Sequence, residues 1–288
     1  MKSTQDISER TLADAWADLN AHADAGLPLR PDAYRVAFAD PEFLLRRETR
    51  GLRIQLEMLK PELEMQAQGI ENTIVVFGSA RFLPPEEALL VQQAAMQSGD
   101  AKAIELAAQK LRNAQYYDQA RLFSRLVAGY GARRPPKERL VICTGGGPGI
   151  MEAANRGAHE MGALNIGLSI ALPHEQSGNR FVSPSLNFKF HYFAMRKMHF
   201  MMRATALVAF PGGMGTMDEL FEVMTLVQTR KAKPVPIILF GIEYWKRLIN
   251  FEVMVEQGTI SKEDLSLFTY TDDPQEAWNT IKAFYKLD

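Results

Sequence analysis

The sequence predicts an α/β protein with a parallel sheet, and three observations support this fold class. Five short runs rich in β-branched residues lie between residues 73 and 240 and are separated by helical stretches. Glycine-rich turns directly follow three of these runs, as is typical where a buried strand ends. Strands that alternate with helices form right-handed βαβ units, which bury a parallel sheet between two layers of helices. We therefore expect a Rossmann-like, doubly wound sheet with an N-terminal helical extension.

Residues 1–70 differ in composition from the rest of the chain, because they are rich in Ala, Leu, Glu and Arg and contain no β-like run. Several leucines recur at mostly helical spacing, namely Leu45, Leu52, Leu56, Leu59 and Leu63. Four prolines are expected to divide the segment into short helices: Pro28, Pro31, Pro41 and Pro61. We predict a helical extension that packs on the main domain or on a partner subunit.

The main domain is predicted to cover residues 71–288. Its strands are expected at 73–77, 139–143, 164–170, 205–210 and 235–240. The segment 85–131 is long for one crossover, and the break at 98–100 indicates a helical insert of two helices. Acidic residues next to Pro274 predict the start of a last helix. Ligands of such folds bind at the carboxyl ends of the strands, where the glycine turns lie.

Composition excludes several classes of function. The formal net charge of -1 gives no electrostatic reason to expect binding to nucleic acid or to an anionic membrane. The polar start lacks the apolar core of a signal peptide, and no apolar run approaches the ~20 residues that span a bilayer. A single cysteine, Cys143, cannot form an intramolecular disulfide and is expected to be an inert core thiol. We therefore expect a cytoplasmic protein.

The stretch "PGGMGTMDE", Pro211–Glu219, follows the fourth predicted strand and opens a helix with an apolar face. Gly212, Gly213 and Gly215 can take positive φ and expose backbone N–H groups, and Thr216 adds a hydroxyl donor. With the orphan N–H groups of the helix start, these residues suit a phosphate. A tight turn followed by ordinary helix-start acids explains the same pattern, so both interpretations stay open here.

Two further glycine turns lie at strand ends. The stretch "TGGGPGIMEAANRGA" (144–158) fits neither the Gly-x-Gly-x-x-Gly dinucleotide fingerprint nor a Walker loop, which argues against NAD binding and ATP hydrolysis. Its glycines, including Gly146 and Gly147, still allow close approach to a small phosphorylated ligand. In "FGSAR" (77–81), Gly78, Ser79 and Arg81 are candidate phosphate or ribose contacts, or simply loop residues.

The stretch "FHYFAMRKMHFMMRA" (190–204) is predicted to form a helix before the fourth strand. Arg196 and Lys197 stand among Phe and Met, so they are either functional cations or a pair that snorkels at the surface. His191 and His199 are eight residues apart, not the four of paired metal ligands on one helix face, and no cysteine cluster exists. We expect no metal site.

Three motifs together, "GGGPGIMEAANRGA", "MRKM" and "PGGMGTMDE", resemble the LOG (Lonely Guy) family of cytokinin-activating phosphoribohydrolases, in its longer bacterial branch; members are often named lysine decarboxylase-like. The family pattern Pro-Gly-Gly-x-Gly-Thr-x-x-Glu is met in full by residues 211–219, and its Arg-Lys pair by Arg196 and Lys197. The resemblance covers about residues 71–288. It does not obviously extend to the first 70 residues or to the whole insert.

The resemblance implies hydrolysis of the N-glycosidic bond of a nucleoside 5′-monophosphate, either AMP-like or a cytokinin nucleotide, to a free base and ribose 5-phosphate. It implies a catalytic pair, Arg196 and Glu219, no cofactor, and a homodimer. The implied nucleotide site also comprises Lys197, Glu175, Thr225, Asp218 and the loop residues Pro211, Gly212, Gly213, Met214, Gly215 and Thr216.

Physical chemistry agrees with these roles. Breaking an N-glycosidic bond builds positive charge on the ribose, which a carboxylate can stabilise while it deprotonates water. An arginine stays protonated, so it can only orient the carboxylate or bind substrate. The main alternative is a binding protein for a phosphorylated ligand, like molybdenum-cofactor carriers, which needs the loops but not the Arg–Glu pair. Lysine decarboxylation would need pyridoxal phosphate on a lysine that nothing here marks.

Overall fold

A computed structural model describes residues 35–171 and 178–288, together with Ala17 and Ala21. The chain divides into two compact units, Met1–Leu59 and Lys60–Asp288. Helices α1 and α2 are Pro41–Leu44 and Arg50–Ala67, and the helices that follow are α3 Pro85–Ser98, α4 Ala101–Gly131, α5 Ile150–Glu160, α6 Phe193–Met202, α7 Met214–Gln228, α8 Ile242–Leu248, α9 Phe251–Glu256 and α10 Pro274–Tyr285. Short 3-10 turns occupy Ala37–Ala39, Pro136–Glu138, Pro184–Leu186 and Glu263–Leu267.

The described residues form a seven-stranded sheet in which every pair of neighbours is parallel. Its strands are β1 Asn72–Phe77, β2 Leu140–Thr144, β3 Asn165–Ile170, β4 Asn187–Phe190, β5 Ala204–Ala209, β6 Ile237–Phe240 and β7 Phe268–Thr271. Their spatial order is β4-β3-β2-β1-β5-β6-β7, so the direction of winding reverses between β1 and β5. This confirms the predicted doubly wound, Rossmann-like sheet.

Each face of the sheet carries its own apolar core, because successive side chains of a strand point to opposite faces. Along β1, Val75 and Phe77 pack in one core, while Ile74 and Val76 pack in the other. The first core includes residues of α6, α7, α8 and α9, and the second includes residues of α4, α5 and α10. Helices therefore cover both faces, as a parallel sheet requires.

The five predicted strands are all present, within two residues of their expected ends. The sequence analysis missed the two edge strands, β4 and β7. Both are four residues long, and each exposes at least one residue to solvent, so neither has the continuous apolar run of a buried strand. The predicted helix at 190–204 is shorter than expected: Phe190 ends β4, and α6 begins at Phe193.

The N-terminal prediction is corrected at one proline. Pro61 lies inside α2, which continues for another six residues, so it does not end a helix. A proline inside a helix removes one backbone hydrogen bond, and the burial of the Pro61 ring offsets part of that cost. Pro41 does begin a helix, capped by the side chain of Asp40, which accepts a hydrogen bond from Phe43 N–H at 3.1 Å. Pro28 and Pro31 lie outside the described residues.

Two helices, α3 and α4, occupy the segment that was predicted to be a helical insert. Gly99 separates them in the left-handed conformation, and the Asp100 side chain caps α4. The last helix begins at Pro274, with Asp273 accepting a hydrogen bond from Gln275 N–H at 2.7 Å. No helix in the part of the chain that the structure describes is long and apolar enough to cross a membrane.

Candidate active site

Residues 210–213 join β5 to α7 at the carboxyl edge of the sheet, beside the point where the winding reverses. Residues 211–213 of this connection form the glycine loop. Gly213 is the N-cap of α7, and no side chain caps the helix. The first N–H groups of α7 are therefore free of a capping side chain, and the helix dipole adds partial positive charge there. This end of α7 has the properties of an anion-binding site.

The glycines of this loop do not have the positive φ that the sequence suggested, since none of them is among the positive-φ residues. Gly212 is needed for space, because a Cβ there would collide with the Thr216 side chain. A Cβ on Gly213 or Gly215 would meet nothing within 4 Å. These two positions leave room for a ligand to approach the backbone, which is a different use of glycine from a strained turn.

Two aromatic residues of α8 hold this loop, and the sequence analysis missed both. The Tyr244 hydroxyl donates a hydrogen bond to the Gly212 carbonyl at 2.5 Å. The buried Trp245 Nε1–H donates to the Ala209 carbonyl at 3.1 Å and the Phe240 carbonyl at 2.9 Å. α8 follows β6, the neighbour of β5, so its position at a strand end was the signal that could have found them.

Arg196 projects from α6 to the carboxyl edge of the sheet and is largely buried. Its Nε–H donates a hydrogen bond to the Leu168 carbonyl at 2.7 Å, which fixes the guanidinium. A Cβ on Gly145 would lie 2.6 Å from Arg196 Nη2, so this glycine makes room for the guanidinium. Desolvation lowers the pKa of Arg196, and the nearby Glu219 carboxylate opposes that effect.

Glu219 lies in the second turn of α7 and is 4% exposed. One carboxylate oxygen is 3.6 Å from Arg196 Nη1, and the other is 3.8 Å from Lys197 Nζ. Desolvation raises the pKa of Glu219 to about 7, although Lys197 and Arg196 act to lower it. A buried carboxyl that titrates near neutral pH suits general acid or base chemistry.

Lys197 is surrounded by carboxylates. Its Nζ lies 2.7 Å from Glu222 and 3.0 Å from Asp218, besides its contact with Glu219. Desolvation acts to lower the pKa of Lys197, but the hydrogen bonds to Glu222 and Asp218 outweigh it and leave the pKa raised. Lys197 is therefore a fixed cation that partly neutralises the acidic start of α7.

A cavity of about 1130 Å³ contains most of the predicted site residues. The loops after β1 and β5 and the first turn of α7 line it with Gly78, Ser79, Arg81, Pro211, Gly212, Gly213, Met214, Gly215 and Thr216. Arg196 and Glu219 also line it. Residues that the sequence did not indicate also line it: α4 contributes Gln109, Arg112, Asn113 and Tyr116, and α8 contributes Glu243, Tyr244 and Arg247. No motif marked these helix positions.

Other predicted residues lie elsewhere. Gly146 and Gly147 are not among the residues that line this cavity. Their carbonyls accept hydrogen bonds from the backbone N–H and the side-chain amide of Asn179, at 2.8 and 3.0 Å. Thr225 lines a second, shallower depression of about 520 Å³ together with Lys197 and Asp218. Its hydroxyl donates to the Phe221 carbonyl at 2.7 Å. Glu175 lies outside the described residues.

The described residues contain no cluster of metal ligands, and the cysteine among them is buried. Among the described residues, no three His, Cys, Asp or Glu side chains form a group that could hold a metal ion. Cys143 is buried in β2, and desolvation raises the pKa of its thiol, which keeps it protonated and unreactive.

Comparison with known proteins finds similarity to one family over the region that contains α6 and α7. The family model described as "Possible lysine decarboxylase" matches residues 151–281, which include α6, the glycine loop and α7. A probable cytokinin riboside 5′-monophosphate phosphoribohydrolase LOG4 of Oryza sativa subsp. japonica is 29% identical over 157 residues, 54% of this chain and 67% of the relative. Over these residues the chain is similar to members of the LOG family.

Other LOG relatives give similar values. The cytokinin riboside 5′-monophosphate phosphoribohydrolase LOG3 of Arabidopsis thaliana is 31% identical over 125 residues, 42% of this chain. The chain spans 56% of that relative's length. Among solved structures, the molybdenum cofactor carrier protein of Chlamydomonas reinhardtii is 20% identical with a TM-score of 0.42, over 75% of this chain and 98% of the carrier.

Proposed function

We propose that the protein hydrolyses the N-glycosidic bond of a nucleoside 5′-monophosphate to give a free base and ribose 5-phosphate. One observation carries this proposal: a buried carboxyl with a pKa of about 7, Glu219, lies beside Arg196 in the cavity that contains the uncapped start of α7. The LOG relatives are named as cytokinin riboside 5′-monophosphate phosphoribohydrolases, which supports the reaction type.

In the proposed reaction, the glycine loop and Thr216 bind the 5′-phosphate. Glu219 lies three residues after Thr216, about 4.5 Å further along the helix axis. A ribose bound by its phosphate at the helix start can therefore extend toward the Glu219 carboxylate. The binding energy of the phosphate, which is remote from the bond that breaks, positions the anomeric carbon.

The proposed chemical step places the ionised Glu219 carboxylate beside the anomeric carbon. As the bond to the base breaks, its electron pair leaves with the base nitrogen, and positive charge develops on the ribose. Glu219 stabilises that charge and accepts a proton from the attacking water, whose oxygen bonds to the carbon. Arg196 holds the carboxylate in place and favours its ionised form. The released base takes a proton from solvent.

The identity of the released base is a separate, more specific proposal. We propose an AMP-like or cytokinin nucleotide, since the LOG relatives are named for cytokinin nucleotides. Incubating the purified protein with a panel of nucleoside 5′-monophosphates and separating the products by chromatography identifies the base. Release of base from at least one nucleotide is expected. Binding of ribose 5-phosphate without release of base from any nucleotide would instead indicate a carrier or binding protein.

We further propose a homodimer that works in the cytoplasm. Support for self-association comes from apolar side chains of α6 and α7 that remain about half or more exposed in the single chain: Phe193, Met198, Met202 and Met214. Large contiguous apolar patches on a protein surface mark interaction sites. Light scattering coupled to size exclusion should give about twice the chain mass of 32.3 kDa. The mass of a single chain would contradict the dimer.

A further inference from the structure

The helical insert contributes to the same cavity as the catalytic pair. Five residues of α4 line the cavity: Gln109, Arg112, Asn113, Gln115 and Tyr116. Arg112 and Tyr116 are four residues apart, so they lie on one face of the helix. The insert thus places a guanidinium and an aromatic ring at a site whose other lining residues come from the loops after β1 and β5 and from helices that include α6, α7 and α8.

The charges that line the cavity do not balance. Four arginines and two glutamates are among the described lining residues. Arg196 lies 3.6 Å from Glu219, and Arg247 lies 3.1 Å from Glu243. Neither Arg81 nor Arg112 forms a salt bridge with any described residue. The cavity therefore carries two unpaired positive charges, and a phosphate monoester carries about −1.5 to −2 at pH 7.

Stacked rings bring the segments that carry these two arginines together. The ring of Phe82, next to Arg81, stacks on the ring of Tyr116 with centroids 5.9 Å apart and planes inclined by 20°. Tyr116 is one helical turn from Arg112. The loop after β1 and the face of α4 therefore meet at one side of the cavity.

That side is next to the glycine loop. Ser79 N–H donates a hydrogen bond to the Pro211 carbonyl at 2.9 Å, which ties the loop of Arg81 to the first residue of the glycine loop. A Cβ on Gly241 would lie 3.0 Å from the Pro211 ring and 3.3 Å from the Tyr116 ring, so Tyr116 also lies near Pro211. Both arginines thus come from segments that adjoin the proposed phosphate site.

We propose that Arg112 of the insert, together with Arg81, binds the substrate's 5′-phosphate and makes the insert part of the substrate site. This inference rests on the proposed function for the identity of the phosphorylated ligand. Guanidinium groups form paired, charge-assisted hydrogen bonds to phosphate oxygens, which backbone N–H groups at a helix start supplement. The insert then selects nucleotides over nucleosides by charge.

The test compares three single variants with the wild type: Arg112→Gln, Arg112→Lys and Lys110→Gln. Lys110 lies on the same helix, does not line the cavity, and its substitution removes the same charge. Titration calorimetry with ribose 5-phosphate gives Kd, and steady-state assays on the best nucleoside monophosphate give KM and kcat separately. Arg112 is exposed, so its variants should fold normally, which thermal unfolding checks.

Arg112→Gln should raise Kd for ribose 5-phosphate and KM for the nucleotide about tenfold, the effect of losing one charge-assisted contact. Arg112→Lys should recover part of this loss, because it keeps the charge without the forked geometry. Lys110→Gln should match the wild type. The inference is wrong if Arg112→Gln binds ribose 5-phosphate with a Kd within twofold of the wild-type value.

The same data separate this inference from the proposed function. If the wild type releases no base but its affinity for ribose 5-phosphate depends on Arg112, the proposed function fails and the phosphate contact stands. If the wild type releases base and Arg112→Gln has unaltered KM and Kd, the phosphate contact fails and the proposed function stands.

Discussion

The activity of this protein should depend on pH through Glu219. Only the ionised carboxylate can accept a proton from water, and its pKa is about 7 instead of the ordinary 4.5. The value of kcat/KM reports ionisations of the free protein. It should therefore rise about tenfold per pH unit at acidic pH and level off above about pH 7.

The neighbours of Glu219 predict how this profile moves in variants. The carboxylates of Glu222 and Asp218 raise the pKa of Glu219, and Lys197 lowers it. Glu222→Gln should therefore shift the acidic limb to lower pH, while Lys197→Gln should shift it to higher pH. The second ionisation of the substrate phosphate, near pH 6, stays where it is in both variants. Opposite shifts in the two variants would assign the limb to Glu219.

The same raised pKa has a cost in stability. A rise from 4.5 to about 7 disfavours the ionised carboxyl by about 3.4 kcal/mol in the folded state. Between these values the folded state binds more protons than the unfolded state, so stability falls as the pH rises. Glu219→Gln removes this dependence. Between pH 5 and pH 8, the wild type should lose about 2.5 kcal/mol of unfolding free energy relative to the variant.

Two assays decide this prediction. Initial rates at low substrate concentration between pH 5 and pH 9 give the acidic limb of the kcat/KM profile. Urea unfolding at pH 5 and pH 8 gives the change in the free energy of unfolding between these two pH values. A limb that stays in place in both the Glu222 and Lys197 variants would refute the assignment to Glu219. A wild type and Glu219→Gln that respond equally to pH in unfolding would refute the raised pKa itself.

Four further substitutions follow from the local surroundings of their residues. Arg196→Ala should lower turnover at least about a hundredfold, while circular dichroism shows that the fold is retained. Near-normal turnover would contradict a role of Arg196 in the reaction. Gly212→Ala should lower the free energy of unfolding in urea by about 1–3 kcal/mol, because its Cβ would collide with Thr216. Gly213→Ala should leave the free energy of unfolding unchanged but raise KM. Equal losses of stability in the two variants would contradict this difference. Asn155→Ala should cost about 3 kcal/mol, because Asn155 joins a buried hydrogen-bond network; a loss below about 1 kcal/mol would count against it.

Much of the sheet could be predicted from the sequence because its central strands are continuous apolar runs that end in glycine turns. The edge strands escaped notice for the opposite reason. β4 alternates exposed and buried residues, and both β4 and β7 are only four residues long. Short alternating segments carry little signal without their neighbours.

The candidate site could be predicted in part. The glycine loop and the cations of α6 stand out locally, while the pairing of Arg196 with Glu219 came from the family resemblance and is present at 3.6 Å. The contributions of Arg112 and Tyr244 could not be predicted, because they depend on how α4 and α8 pack around the sheet. The predicted ligand contact of Gly146 stays a prediction; its carbonyl accepts a hydrogen bond from Asn179 N–H at 2.8 Å.

The most direct test of the central claim is the release of free base from a nucleoside 5′-monophosphate by wild type and Glu219→Gln side by side. Chromatography of the products, with ribose 5-phosphate measured in parallel, gives both rates. The wild type should form base and ribose 5-phosphate in equal amounts, and the variant should be slower by at least about a hundredfold while remaining folded. Equal rates in the two proteins, or no base from any nucleotide, would contradict the account.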